Sequence, residues 1–289
     1  MMDCKKALNE CNGDMEAAVK YLREKGIAKA AAKADRDAKE GVIRAAVAPC
    51  GCSGIILELN CETDFCAKGD KFQGLVNDVA KALMDSKAAT LEEALQVAMP
   101  EGTTEEYIKA MCSSIGENMA LRKFARLTVD GSGAVVSYIH MGGKVGVMVE
   151  VATDEVGKNS DLVKEFAHDV CLQIAAAKPE AVRREEVDAD KLAKEAEIQR
   201  AKAIESGKPE KIVDRIVAGQ IEKYYKEVCL LDQQFVKDGD KTITSLMNET
   251  AKAAGTTLDI VRYVRFERGE GIEKRKDDLA AEIAAMKKA

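Results

Sequence analysis

Two stretches of the chain repeat one another: Gly54-Ile-Ile-Leu-Glu-Leu59 and Gly146-Val-Met-Val-Glu-Val151, each followed by an amphipathic helical pattern, with Phe72 to Val79 matching Val163 to Val170. A recurring strand and helix point to a core of two related subdomains, because neither unit buries its apolar face alone. The 289 residues leave room for this pair and for smaller parts besides, since a single core stops growing at roughly 250 to 300 residues.

Around the repeat the chain changes character several times. Asp3 and Asp14 can each open a short helix, the second carrying Ala17, Ala18, Tyr21 and Leu22. Ile27 to Glu40 is rich in Ala, Lys and Asp and reads as a solvated helical linker. From Val42 the period is that of strands: Val42 to Val47, a turn at Pro49 to Gly54, then Ile55 to Asn60, a hairpin. Helical patterns follow over Asp70 to Met84 and Thr104 to Ile115, and strands resume at Ala125 to Val129 and Ala134 to Tyr138. Strand-like residues return at Ile260 to Phe266.

From about Asp188 to Tyr225 lie two charge-rich helical patterns joined by Ser206-Gly-Lys-Pro209, a helix-stop signal. Val213, Val217, Ile221 and Tyr224 form an apolar stripe on the second, so the pair reads as an inserted antiparallel coiled-coil hairpin. A last helix from about Ile272 presents Leu279, Ile283 and Met286. The fold class is α+β. The expected parts are an N-terminal helical domain with its linker (1–40), a first core subdomain (41–140), a second (141–187 and 226–268), the arm (188–225) and a C-terminal module (269–289).

Composition narrows the chemistry. A net charge of -6 disfavours nucleic acid as the main ligand, since that binding rests on Lys and Arg neutralising phosphates, and a protein partner fits better. No apolar run approaches the roughly 18 residues of a membrane span, and the N-terminus lacks the order of a signal peptide, so a cytoplasmic protein is expected. Nine scattered cysteines then fit reduced thiols, the closest clusters being Cys50-Gly-Cys52 and Cys61-x4-Cys66. With only two histidines, His140 and His168, the ligand pool for zinc is thin, and no metal is expected.

No catalytic constellation is legible either, and no cofactor is implied. Gly142-Gly-Lys-Val145 and Gly207-Lys-Pro209 both fail the phosphate-loop pattern, and His140 has no nearby nucleophile or acid pair. The two copies of the repeat differ just beyond the strand, with Cys61-Glu-Thr-Asp-Phe-Cys66 in the first and Thr153-Asp-Glu-Val-Gly157 in the second. A segment the scaffold does not need twice is a candidate for function. Two readings of the first stand open: Asp64 caps a turn and Phe65 packs into the core, or Phe65 is an exposed aromatic anchor on a rigid loop.

Glu58-Leu-Asn-Cys-Glu-Thr-Asp-Phe-Cys-Ala-Lys68 resembles the signature of the elongation factor Ts family, in which a similar run reads Thr-Asp-Phe-Val. Met1 to Leu8, Ile115-Gly-Glu-Asn118, His140 to Gly146, Ser206 to Pro209, Gln234 to Val236 and Arg265 to Lys274 are similar to further motifs of that family, in order along the chain. The resemblance implies a non-enzymatic exchange factor that binds elongation factor Tu in its GDP-bound and nucleotide-free states. It also allows a dimer of two such heterodimers, with no membrane and no direct nucleic-acid contact. It implies that Thr63, Asp64, Phe65 and Cys66 form the loop that disturbs the partner's Mg²⁺ site. Met1, Met2, Ile115, Gly116 and His140 are implied as further partner contacts. Two departures accompany it: Cys66 stands for the family's valine, and the chain begins where the second helix of the family's ubiquitin-associated-like domain should start, so the first helix is expected to be missing. The coiled-coil arm points to the long bacterial-type form.

Overall fold

A computed structural model describes residues 2–31, 33, 36–100, 102–207 and 209–272. Met1, Lys208 and the anticipated C-terminal helix, with Leu279, Ile283 and Met286, lie outside the described residues, and of Met2 only its backbone in the first helix is described.

Helix α1 (Met2–Glu10) leads into α2 (Met15–Ala31), which Asp14 caps by accepting from the Ala17 N–H at 3.0 Å. Strands β1 (Glu40–Val47) and β2 (Ser53–Cys61) then form the expected antiparallel hairpin. After it come α3 (Asp64–Lys68), α4 (Asp70–Asp85), α5 (Leu91–Leu95), a two-residue pair β3 (Ala98–Met99) and β4 (Gly102–Thr103), α6 (Thr104–Ile115) and β5 (Met119–Thr128). The order β1-β2-β5 makes the first sheet.

The second half repeats this plan. Strands β6 (Gly133–His140) and β7 (Val145–Thr153) form a hairpin, followed by α7 (Glu155–Asn159) and α8 (Asp161–Ala177). Then come α9 (Ala189–Glu205), α10 (Glu210–Val228), the short pair β8 (Gln234–Phe235) and β9 (Asp238–Thr242), α11 (Ile243–Ala254) and β10 (Leu258–Glu267). The second sheet has the order β10-β7-β6. The chain is therefore α+β with antiparallel sheets, as its patterning predicts.

Alternation along the two central strands sorts the core into layers. Ile55, Leu57 and Leu59 of β2 face α4 and α6 with Phe72, Leu75 and Val79, while Val147, Val149 and Val151 of β7 face α8 and α11 with Phe166, Val170 and Ile243. The opposite faces meet each other: Ile43, Ile56, Leu127, Val135 and Met148 form a separate cluster between the sheets. Two sheets face to face with helices outside explain why β2 and β7 read as nearly continuous apolar runs.

In that middle layer each copy buries the glutamate of its repeat. Glu58 is met by Arg122 and by the Gly269 N–H, Glu150 by Arg262 at 2.7 Å, and in both copies the neighbouring strand is bulged there. The extra residue turns the basic side chain toward the carboxylate.

Three expectations change. A boundary between 140 and 141 would split β6 from β7, but these pair from Gly133↔Ala152 to His140↔Val145, so β6 belongs to the second sheet. Continuous strand-like patterning through both hairpins hides where one sheet ends. The strand-to-helix connections share a geometry despite their different sequences, since each is a five-residue helix opened by a capping side chain, Thr63 or Asp154. Finally, Cys50 and Cys52 are joined by a disulfide, so the thiols are not all free. The β1–β2 turn holds their Cα atoms 5.3 Å apart, within the span such a bond requires.

Helices α9 and α10 pack on one another through Ala203, Val213 and Val217, a cluster distinct from the sheet cores. The chain leaves near Ala181 and re-enters at Cys229, which bridge one another. Replacing residues 188–225 with a short Gly/Ser link is therefore expected to leave a single cooperative thermal transition. Differential scanning calorimetry checks this, and loss of soluble folded protein would place the hairpin in the core.

Candidate functional site

The site begins where β2 runs out. Thr63 takes an extended conformation, and its Oγ1 accepts from the Cys66 N–H at 3.1 Å, which caps α3. With its first turn fixed this way, a helix of only five residues has a defined direction. Cys66 and Ala67 turn inward and are buried, while Phe65 points out with 86% of its surface exposed. The core reading of Phe65 is thus set aside, since the side chain lies on the surface. An aromatic displayed to this extent is the unusual observation, since such side chains are normally covered.

A second element secures the loop from outside. Helix α6 opens with a capping box, Thr103 with Glu106, and ends at Gly116 with φ 97°, a left-handed conformation that glycine adopts without strain. That turn delivers Glu117. Its Oε2 accepts from the backbone N–H groups of Glu62 and Thr63 at 3.1 and 3.0 Å, and its Oε1 from the Thr63 hydroxyl at 2.7 Å. Glu62 reciprocates by accepting from the Asn118 N–H at 2.6 Å. Both ends of the segment preceding Phe65 are therefore tied to the segment following α6.

Electrostatics divide the loop into a polar rim and an apolar floor. Asp64 and Lys68 pair at 2.7 Å on the exposed face, and that hydrogen bond, with the charge of Lys68, holds the Asp64 carboxyl below the usual range. The pair is solvated and contributes little to stability. Burial pushes the Cys66 thiol up to about 11, and raises Cys61 further, the adjacent Cys66 adding to the effect.

Phe65, Cys66, Ile115 and Glu117 share the lining of a shallow cavity of about 430 Å³. Of the residues anticipated as contacts, Thr63, Asp64, Phe65, Cys66, Ile115 and Gly116 are thus brought to one corner. His140 is exposed at the end of β6, its Nδ1 2.8 Å from the Tyr138 hydroxyl, and does not line that cavity. Sequence reasoning quoted Glu117 within Ile115-Gly-Glu-Asn118 but assigned it no role, although its position directly after a helix-ending glycine was visible. No described helix is long and apolar enough to cross a membrane.

The corner so held displays one bare aromatic, Phe65, on a short helix whose base is capped and braced. Residues 62–270 match the profile of the family described as Elongation factor TS. Over 285 residues the chain is 50% identical to the elongation factor Ts of Clostridium botulinum, covering 98% of this chain and 93% of that protein. It is 50% identical over 287 residues to that of Clostridium perfringens (99% and 93%), and 46% over 291 residues to that of Trichlorobacter lovleyi (99% and 93%). The chain belongs to the elongation factor Ts family. That membership implies nucleotide exchange on elongation factor Tu during translation elongation.

Proposed function

We propose that the chain releases GDP from elongation factor Tu by inserting Phe65 between helices of that partner, which disturbs its Mg²⁺ and phosphate contacts and lets GTP enter. The observation that carries this reading is the 86% exposure of Phe65 on a helix whose base is capped by Thr63 and braced by Glu117. GDP is held by a phosphate loop and by Mg²⁺ bridging protein and phosphate oxygens, so a conformation that separates those groups weakens it. No covalent chemistry is involved. The factor need only bind the nucleotide-free conformation more tightly than the GDP-bound one, and the antagonism between factor and nucleotide is then reciprocal.

In this reading Thr63 and Cys66 orient the loop, and Asp64 sets a polar edge beside the aromatic. Ile115 and Gly116 extend the same contact, whereas His140 meets the partner from the second sheet. Met1 and Met2 carry the docking of the N-terminal helices, taken as a ubiquitin-associated-like module, and the C-terminal module (269–289) meets the partner separately. The hairpin of α9 and α10 is taken as a coiled-coil arm, and the factor works in the cytoplasm.

The test is release of labelled GDP from loaded elongation factor Tu, with and without the chain. Acceleration supports the reading, and an unchanged rate removes it. A second measurement addresses the brace: Glu117→Ala deletes an acceptor of three hydrogen bonds while leaving Phe65 in place. It is expected to slow exchange by roughly 10-fold, the loss of about 1.4 kcal/mol of pre-organisation. An unaltered rate would show that the brace does not matter to exchange.

A further inference from the structure

Cys61, Cys66 and Glu117 bring two sulfurs and a carboxylate oxygen within 4.8 Å of one another, and both sulfurs are buried. Neither thiol is oxidised: the disulfide of this chain joins Cys50 to Cys52, and Cys61 and Cys66 are free. We propose that these three side chains form a binding site for a thiophilic divalent cation of the zinc class at the base of the loop that displays Phe65.

The geometry suits such an ion. Bonds of about 2.3 Å to sulfur and about 2.0 to 2.2 Å to oxygen in a tetrahedron place neighbouring ligand atoms roughly 3.5 to 3.8 Å apart, so small rotamer adjustments close the set. The Cys61 thiol donates to the Thr63 carbonyl at 3.2 Å, so its sulfur already points to the base of the loop. Glu117 is already oriented by Glu62 and Thr63, the outer-shell support that ligating carboxylates need. Because Cys66 and Glu117 also line the cavity beside Phe65, the fourth position is open to solvent on that side.

The second copy of the repeat supplies the comparison. Its corresponding corner is built by Thr153 at the strand end, Gly157 in the first turn of α7, and Thr256 directly after the helix-ending Gly255. There the Thr153 and Thr256 hydroxyls lie 3.1 Å apart and Thr256 donates to Asp154 at 2.6 Å. A side chain at Gly157 would collide with Thr153 Oγ1. Hydroxyls and a glycine thus stand at the three equivalent positions, and the one carboxylate of this corner, Asp154, is taken up in capping α7 and in accepting from Thr256. All three equivalent positions of the first copy carry a metal-ligating type, which the scaffold itself does not require.

Binding replaces two thiol protons by one cation, so uptake releases protons and weakens as pH falls. The ion also closes the chain from 61 to 66 around Phe65. This inference does not depend on the exchange reading, and its test uses no partner.

The experiment titrates Co²⁺, then Zn²⁺, into the full chain kept reduced by a phosphine, in a Cys50→Ser, Cys52→Ser background that removes the pair a reductant would open. One Co²⁺ per chain is expected, with a near-ultraviolet thiolate charge-transfer band, tetrahedral visible bands, displacement by Zn²⁺ and release of about two protons per ion at neutral pH. Cys66→Val keeps an apolar side chain of similar size and is expected to halve the charge-transfer band per bound Co²⁺ and weaken binding by at least about 100-fold. Glu117→Gln should weaken binding by roughly 10 to 100-fold with the thiolate band retained. Absence of a thiolate band at stoichiometric Co²⁺, or Cys66→Val binding like its parent, would overturn the proposal even if exchange activity were intact.

Discussion

Phe65→Ala is expected to slow GDP release from elongation factor Tu by about 30-fold or more while melting at the parent temperature. An aromatic anchor at the centre of an interface contributes about 2 kcal/mol or more on truncation, which sets the rate factor. Stability is spared because Phe65 is 86% exposed and loses little on truncation that water does not already reach. Phe72→Ala is the informative contrast. The same substitution at a side chain 1% exposed, packed between α4 and β2, is expected to cost about 3 to 5 kcal/mol of stability through the cavity it leaves. Stopped-flow release and calorimetry on the two variants separate binding from folding. A Phe65→Ala protein that exchanges normally, or one that unfolds, would remove the centre of the mechanism.

Arg262→Leu is expected to lower stability by about 3 kcal/mol, since it strips the partner from a carboxylate buried between the sheets. Glu150 is 4% exposed at its side chain, against 54% for the guanidinium, so water repays part of the loss and the figure sits at the low end for broken buried pairs. For a chain of this size that corresponds to a fall in Tm of roughly 6 to 12 °C. The double variant Glu150→Leu with Arg262→Leu should recover most of it, because an apolar pair of similar volume needs no charge partner. A thermal shift below about 1 °C in the single variant would mean that Thr128 and solvent, not Glu150, hold Arg262.

The parts of this fold that were legible in the sequence are those fixed by local rules. Helix α6 runs over Thr104–Ile115 as its pattern predicts, since Thr103 and Glu106 mark its start and Gly116 its end. The repeat was legible because a strand buried on both faces leaves an apolar run that few other elements produce. Helices α3 and α7 were not, as five residues carry too little periodicity, nor were the two-residue strands β3, β4 and β8. Within the site, the loop residues stood out by likeness to a family, but the exposure of Phe65 was not decidable from residue type, which favours burial. Glu117 lay inside the family-like run Ile115 to Asn118 but was given no role, because that role is defined by contacts to residues 54 and 55 positions earlier in the chain. Such pairings exist only once the sheet has formed.

The central position of β2 in its sheet bears on how force passes between two proteins. Phe65 stands four residues beyond a strand that is paired on both sides and covered by helices on one face and by a second sheet on the other. When two bodies press on one another, each deforms in inverse proportion to its stiffness, so distortion collects in the more compliant of the pair. Close-packed interiors compress little. In the proposed mechanism, a side chain mounted just beyond such a strand would yield little to what it enters, leaving the strain of contact to the partner.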